Sequence, residues 1–265
     1  MKKAEFEKYL ESIQKGAAPE QLYDPRCSVI QTFDAEGKAI ATLVNYAIHP
    51  EVLGNGQGIL SPDLVGPLCD RIAEKTGGTG IFMNSAQGGM VTADNRLPDK
   101  KEARDFAECV RIGQLLADEA LRIVESAPMK DTANLFCASK VVKFPVESQT
   151  MLMVMKMSPL KYPASSDNSV TTRLNLINFA DAQILTIPGE ALPNIGFYLK
   201  RKMHGKQNLL FGLTNDAFGY ILTKVDFNSF ERYNYVSRTS LGEMTGEILI
   251  NEALALVESS PAPAK

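Results

Sequence analysis

The stretch Lys38–Pro50, KAIATLVNYAIHP, decides how the chain is read. Its β-branched and apolar residues mark a buried strand, bounded by a glycine before it and a proline after it. The strand drives straight into His49. The chain holds only two histidines in 265 residues, so one at the mouth of a buried strand calls for an explanation. Upstream, Cys27–Phe33 (CSVIQTF) is a second β-rich run, and DAEGK between the two is a hairpin turn.

Outward from that hairpin, strands alternate with helices. In Ser61–Gly78, Ser61 is placed to cap a helix, Pro62 suits the first helical position and the glycines end it. Thr79–Ala86 is a short apolar strand running into a glycine loop. Lys101–Ala127 is a long amphipathic helix, with Phe106, Cys109, Val110, Ile112, Leu115, Leu116, Ala120 and Ile123 at helical spacing. Asn134–Val146 is strand-like, and the Met-rich Ser148–Leu160 reads as core filling. Thr171–Phe179 and Ala182–Pro188 form a second hairpin around Ala180–Asp181. Gly189–Met203 is a helix with a basic last turn that suits its dipole. Asn208–Thr214 is a strand, and Ser240–Glu258 closes the chain as a helix. Two hairpins within a strand–helix alternation imply an α/β fold, a mixed sheet with helices on both faces. The expected organisation is an N-terminal helix and loop over 1–21, one α/β domain over 22–258, and a disordered tail over 259–265.

Composition removes several function classes. A net charge of −3 lacks the basic stripe of a nucleic-acid binder. No apolar run approaches the ~18 residues of a membrane span. The MKK start is followed by the charged AEFEKYLESIQKG, with no apolar core of a signal peptide. Cys27, Cys69, Cys109 and Cys137 make no CxxC pair and read as buried or half-buried thiols.

Open α/β sheets bind ligands at the carboxyl ends of their strands. Four places there combine glycine with polar groups. They are His49 with Asn45, Ser61 and Asp63; the loop Asn84–Arg96; Glu190 in IPGE; and Tyr220 after Gly219. Singly, each has an ordinary structural explanation: a strand-end histidine is most often just hydrogen-bonded, and a glutamate at a helix start is favoured by the dipole alone. The glycine loop has neither a GK[ST] nor a GxGxxG pattern, and no serine sits in a GxSxG elbow. Counting alone also permits a serine hydrolase using Ser85.

Taken in order, Asn45–Gly54 (NYAIHPEVLG), Leu60–Ile72 (LSPDLVGPLCDRI), Ile81–Gly89 (IFMNSAQGG), Thr186–Lys200 (TIPGEALPNIGFYLK), Gly212–Thr223 (GLTNDAFGYILT) and Phe230–Tyr235 (FERYNY) resemble the neutral ceramidase family. The resemblance covers the middle and end of that family's catalytic domain, over residues 22–258, and is nearest to short bacterial members. It implies an αβα domain, N-terminally truncated relative to the family, with one zinc ion at the strand ends. The family's strand-end HP histidine falls on His49, its PGE glutamate on Glu190 and its YI tyrosine on Tyr220. Imidazole and carboxylate are good zinc ligands, and an open position lets zinc acidify water. The tyrosine that supports the oxyanion in the family falls on Tyr233, with Tyr235 close by. Ser85, Gln87 and Thr92 are expected to line the cleft.

The chain departs from the family in two places. The upstream HxHSGP-like motif carrying a second zinc histidine is absent, and His204, in a polar turn, does not match it. The ligand set is therefore incomplete in this chain. In the glycine loop the family's GDVSPN serine falls on Val91, its aspartate on Gly89. The resemblance implies a zinc-dependent hydrolase-like domain acting on an amide, its substrate a small or lipid-like molecule not necessarily ceramide. The alternative is a catalytically impaired member or fragment that keeps a ligand cleft. The family also implies a secreted or periplasmic full-length protein, although this chain shows no signal peptide.

Overall fold

A computed structural model of the chain describes residues 23–56, 58–90, 93, 95–97, 99, 101–130, 134–159, 166–229 and 234–263. The helix expected within 1–21 lies outside them. The opening hairpin is as the sequence predicts: β1 (Ser28–Phe33) pairs antiparallel with β2 (Ala39–Tyr46). The Asp34 carboxylate accepts the N–H groups of Glu36 and Lys38, and Gly37 takes the left-handed conformation the turn needs. A crossover through α1 (Val65–Thr76) returns the chain to β3 (Thr79–Asn84), parallel to β2.

Helix α1 starts later than the Ser61–Pro62 signal predicts. The cause is Asp63, whose carboxylate accepts the N–H groups of Val52, Leu53 and Leu64. It pins the segment after His49 to the head of the helix, so the chain is still turning at Pro62. Gly77, at φ +72°, ends α1 as expected. Helix α2 (Phe106–Glu125) is capped by Asp105, whose side chain accepts from the Glu108 N–H. Its buried stripe is Cys109, Ile112, Gly113, Ala117 and Ala120, while Phe106, Val110 and Leu115 are exposed. A Cβ on Gly113 would lie 2.4 Å from the Leu64 carbonyl oxygen, so α1 approaches the small residues of α2 and the larger apolar ones fall outside the contact.

A second sheet follows the order β4 (Leu135–Pro145), β5 (Ser169–Phe179), β6 (Ala182–Thr186), then β8 (Gln207–Phe211). Its first two ladders are antiparallel, and β6 runs parallel to β8. The tight β5–β6 turn holds Ala180 at φ +52°. The crossover from β6 to β8 carries β7 (Glu190–Ala191) and α4 (Pro193–Lys202). Alternate strand residues Phe144, Leu174, Leu176, Leu185 and Leu210 form the main core with Ile195 and Leu199 of α4 and with Leu249, Ala253 and Leu256 of α6 (Thr245–Glu258). The expected mixed sheet with helices on both faces is present, divided into separate ladders.

Between β4 and β5 lies α3 (Gln149–Met157), the Met-rich segment expected to fill the core. None of its residues is buried. Met151, Leu152 and Met155 rest against the core, while Met153, Val154 and Met157 face outward at 62%, 55% and 77% exposure. Cys137 is also exposed, against expectation, because it alternates outward on β4; burial pushes the Cys27 and Cys109 thiols up to about 11. The tail is ordered further than expected. Ser260 is buried and bonds the Leu256 carbonyl, and the Pro261 carbonyl accepts the Asn178 amide.

The two larger sheets meet at the carboxyl ends of β2, β3 and β8. The Asn45 amide, wholly buried, donates to the carbonyls of Met83, Asn84 and Leu210, and the Gly212 N–H donates to Asn84. A second tie is ionic. Lys200 Nζ lies 2.9 Å from Asp24 Oδ2, and both side chains are buried. Arg26 also grips the Asp24 carboxylate, at 2.7 and 2.8 Å, and its guanidinium stacks over the Phe197 ring. Burial alone would raise the Asp24 pKa, but the hydrogen bonds and charges of Arg26 and Lys200 together hold it below the usual carboxylate value. Burial pulls Lys200 down, and Asp24 restores only part of that, because the lysine shares its anion with Arg26.

Removing one partner leaves a buried charge. Asp24→Ala is expected to cost about 3–5 kcal/mol in denaturant unfolding. The pH dependence follows from the lowered Asp24 pKa: its stabilisation is complete above the ordinary Asp value and is lost as pH falls below about 4. Thermal unfolding from pH 7 to pH 2 should therefore show a steeper acid limb in the native chain than in Asp24→Asn/Lys200→Met.

Candidate metal centre

Strand β2 ends at Tyr46; Ala47 and Ile48 continue into the core, and His49 emerges from that fixed end. Its backbone N–H donates to the Met90 carbonyl at 3.2 Å, and its ring Nδ1 is 2.7 Å from the same oxygen. One carbonyl thus holds both the main chain and the ring. The other ring nitrogen, Nε2, lies 2.6 Å from Glu190 Oε2. The two side chains are 17% and 19% exposed, buried enough to strengthen the contact yet reachable from solvent.

Glu190 is not at a helix start, as the PGE pattern suggested. It forms β7, which pairs in parallel with β9 (Tyr220–Ile221). The register sets Glu190 opposite Tyr220, with the Glu190 N–H donating to Gly219 and the Leu192 N–H to Ile221. The Tyr220 ring lies 6.4 Å from the His49 ring, centre to centre. The three expected ligands therefore share one place. Burial, then the charges of Glu190, Tyr235 and Glu51 and a hydrogen bond to Glu190, hold Tyr220 far above the usual phenol pKa. Burial would lower His49, but the Glu190 hydrogen bond, the Met90 carbonyl and the charges of Glu190 and Glu51 outweigh it and leave its pKa raised.

Close backbone approaches fix these pieces. A Cβ on Gly88 would lie 2.3 Å from the Glu190 carbonyl oxygen, and the Gly88 N–H donates to Ala191. A Cβ on Gly219 would lie 2.0 Å from the Thr239 carbonyl oxygen. That oxygen accepts the Tyr220 N–H, which ties β9 to α5 (Asn234–Arg238). From α5 the Tyr235 ring meets the Tyr220 ring edge-on at 5.8 Å.

The glycine loop does reach the His49 site, through Met90 and Gly88, but two of its residues do not line an open cleft. Ser85 and Gln87 are 2% and 1% exposed. The Ser85 N–H donates to Tyr46, extending the sheet, and Gly212 packs on the Ser85 carbonyl. A serine closed off from solvent offers no route to substrate, which removes the Ser85 hydrolase reading. Thr92 and Tyr233 lie outside the described residues. His204 follows α4, so the length of that helix, ~15 Å, separates it from Glu190. Its ring approaches Glu258 at 3.7 Å.

The sequence did not reveal Met90 or Glu51. A carbonyl acceptor leaves no mark on residue identity. Glu51 acts through charge and lines a cavity of about 190 Å³ beside Pro50, Leu53, Ser61 and Asp63. Among the described residues no group of three His, Cys, Asp or Glu could hold a metal. The donor set here includes a tyrosine.

Gly88→Ala is expected to force the loop and β7 apart. It should destabilise the chain by about 1–3 kcal/mol in chemical unfolding, and a crystal structure should show the His49–Glu190 distance lengthened.

The sequence matches no family model and no curated protein. Solved structures do match. Neutral ceramidase from Pseudomonas aeruginosa superposes with a TM-score of 0.71 at 15% identity, over 96% of this chain and 51% of that one. A ceramidase complexed with C2 superposes with a TM-score of 0.70 at 16% identity, over 93% of this chain and 50% of that one. The chain spans about half the length of these ceramidases and has the neutral ceramidase fold over that half.

Proposed function

We propose that the chain is a zinc-binding hydrolase domain of the neutral ceramidase type, acting on an amide bond in a lipid-like substrate. One observation carries the reading: His49 Nε2 and Glu190 Oε2 face each other at 2.6 Å while Nδ1 is committed to the Met90 carbonyl. With its proton on Nδ1, a neutral imidazole turns a lone pair from Nε2 toward the carboxylate oxygen. Two lone pairs at that distance require a proton between them; a zinc ion, with bonds of ~2.0–2.2 Å to each atom, would take that proton's place with the two atoms moved apart to about 3 Å. A carbonyl partner on the far nitrogen is also the usual support of a metal-ligating histidine.

His49, Glu190 and Tyr220 would hold the zinc, a donor set it accepts. Bound there, zinc would polarise an amide carbonyl and acidify a water at neutral pH. The Met90 carbonyl keeps the imidazole in the tautomer that presents Nε2. Glu190 supplies negative charge, and Tyr220 fixes the third side of the site. A phenol is needed where charge develops on the amide oxygen. The resemblance assigns Tyr233 to that task; Tyr235 is a second phenol against the Tyr220 ring. Loss of one such donor lowers turnover by about 10²–10³. The ceramidases it superposes on support a lipid-like substrate class. Among the described residues no helix is long and apolar enough to cross a membrane. From the resemblance alone we propose a secreted or periplasmic location for the full-length protein.

A second reading, the impaired member, is favoured by Val91 at the serine position and by His204 standing away from the site. Competition with a chromophoric chelator, followed by a fluorogenic short-chain ceramide assay, tests both. One zinc per chain is expected, with binding lost in His49→Ala and weakened in Glu190→Ala. Little or no ceramide turnover is expected, and other N-acyl amides should be cleaved only with zinc present. Failure to bind zinc would overturn the proposal. Zinc binding with no amide cleaved would establish the impaired reading.

A further inference from the structure

The two residues at the heart of the site sit on different sheets' connections, and a closed circuit of contacts links them a second time. Glu190 leads through β7 directly into α4. Near the end of α4, Lys200 meets Asp24 at 2.9 Å. The backbone N–H of Asp24 donates to the Met90 sulfur at 3.3 Å, and the Met90 carbonyl holds His49. Asp24, Met90 and Lys200 are 5%, 9% and 5% exposed, so the circuit runs through buried atoms with little room to slip. Arg26 adds a second hold on α4 by stacking over Phe197.

We infer that the Asp24–Lys200 pair is a latch that positions His49, setting the Met90 carbonyl against the imidazole at a fixed distance from Glu190. Asp24 and Lys200 touch neither zinc nor substrate; they are positioning residues. The geometry explains why a charged pair serves here. The two side chains must meet at one point, because an unpaired buried charge is costly. An apolar pair would tolerate sliding. With the pair formed, the backbone of residue 24 is held beside Met90. With it broken, Met90 is left with the turn hydrogen bond from its own N–H to the Gln87 carbonyl and with the bonds its carbonyl accepts from His49.

The link to metal affinity rests on the zinc reading; the link to His49 does not. The test is made on the metal-free chain first. Histidine ring N–H signals are read by ¹⁵N NMR, which the presence of only two histidines makes assignable. In the native chain the His49 Nδ1–H should be downfield and slow to exchange, as a proton bonded to the Met90 carbonyl must be. In Asp24→Asn/Lys200→Met, which removes both charges at similar volume, that signal should broaden or vanish while circular dichroism stays native. Lys200→Arg keeps the ion pair and should keep the signal. Zinc affinity should fall about 10–100-fold in the double variant, the usual effect of losing support behind a ligand, and should not fall that far in Lys200→Arg. If the double variant does not fold, Met90→Leu cuts the circuit at the sulfur and should weaken the same signal.

Loss of the Nδ1–H signal together with weaker zinc binding supports the latch. Loss of the signal in a chain that never bound zinc also supports it, and overturns the metal reading alone. An unchanged Nδ1–H signal in the folded double variant, or in Met90→Leu if the double variant does not fold, overturns the latch whatever the zinc result.

Discussion

A half-buried imidazole facing a half-buried carboxylate at 2.6 Å cannot be left to local preference. The contact is attractive only with a proton between the two, and only if the ring does not turn. The Met90 carbonyl meets the second condition by taking Nδ1, and the main-chain bond from His49 to the same oxygen keeps that carbonyl in place. The surrounding architecture then follows as a set of requirements. Strand β2 must end where its last residues are anchored in the core, the loop after β3 must pass close beneath Glu190, and β7 must be held edge to edge with β9. Each requirement is met by backbone approaching backbone. Gly88, Gly212 and Gly219 stand where a Cβ would collide with a carbonyl oxygen at 2.0 to 2.3 Å.

The rigidity of the site is uneven. His49 and Glu190 are held by sheet ends, a carbonyl and a glycine contact, all in or beside the main core. On the other side, Tyr235 is 58% exposed on the short α5, and α3 turns Met153, Val154 and Met157 outward. A helix as short as α3 is marginal by itself. It is held by its Ser148 cap, by the Ser148 hydroxyl bonded to the Arg238 carbonyl, and by Met151, whose methyl lies 3.9 Å from where a Gly219 Cβ would be. The half that carries His49 and Glu190 is packed, and the half beyond Tyr220 presents exposed side chains.

The fold was legible where its cause is periodic. The hairpin of β1 and β2, the crossover to β3, the β5–β6 turn and the closing helix all follow from alternation, helical spacing and turn residues. Errors came where tertiary contact overrode local pattern. Ser61 and Pro62 promise a helix start, but the Asp63 carboxylate has three N–H groups elsewhere to satisfy. Phe106 and Leu115 extend the apolar stripe of α2, but α1 sits on Gly113 and its small neighbours. Of the methionines of α3, Met151 and Met155 rest against the core, but Met153 and Met157 face outward. At the site, His49, Glu190 and Tyr220 could be named only by their resemblance to known motifs. The ladder that sets Glu190 beside Tyr220 is two residues long, far too short for a period to register. Met90 acts through its carbonyl, which every residue has. Ser85 and Gln87 were misread because a loop that touches a site need not expose its side chains there.

What the chain keeps of the ceramidase pattern, and what it lacks, fall on different physical tasks. His49, Glu190 and Tyr220 are tied to strand ends and glycine contacts, so changing them would disturb the packing of β2, β7 and β9 as well as the chemistry. The glycine loop serves the same scaffold through Gly88 and the Met90 carbonyl, neither of which needs the serine that ceramidases place nearby. Backbone contacts of that kind are indifferent to which side chains surround them, so the frame around His49 and Glu190 can outlast changes in the loop's side chains.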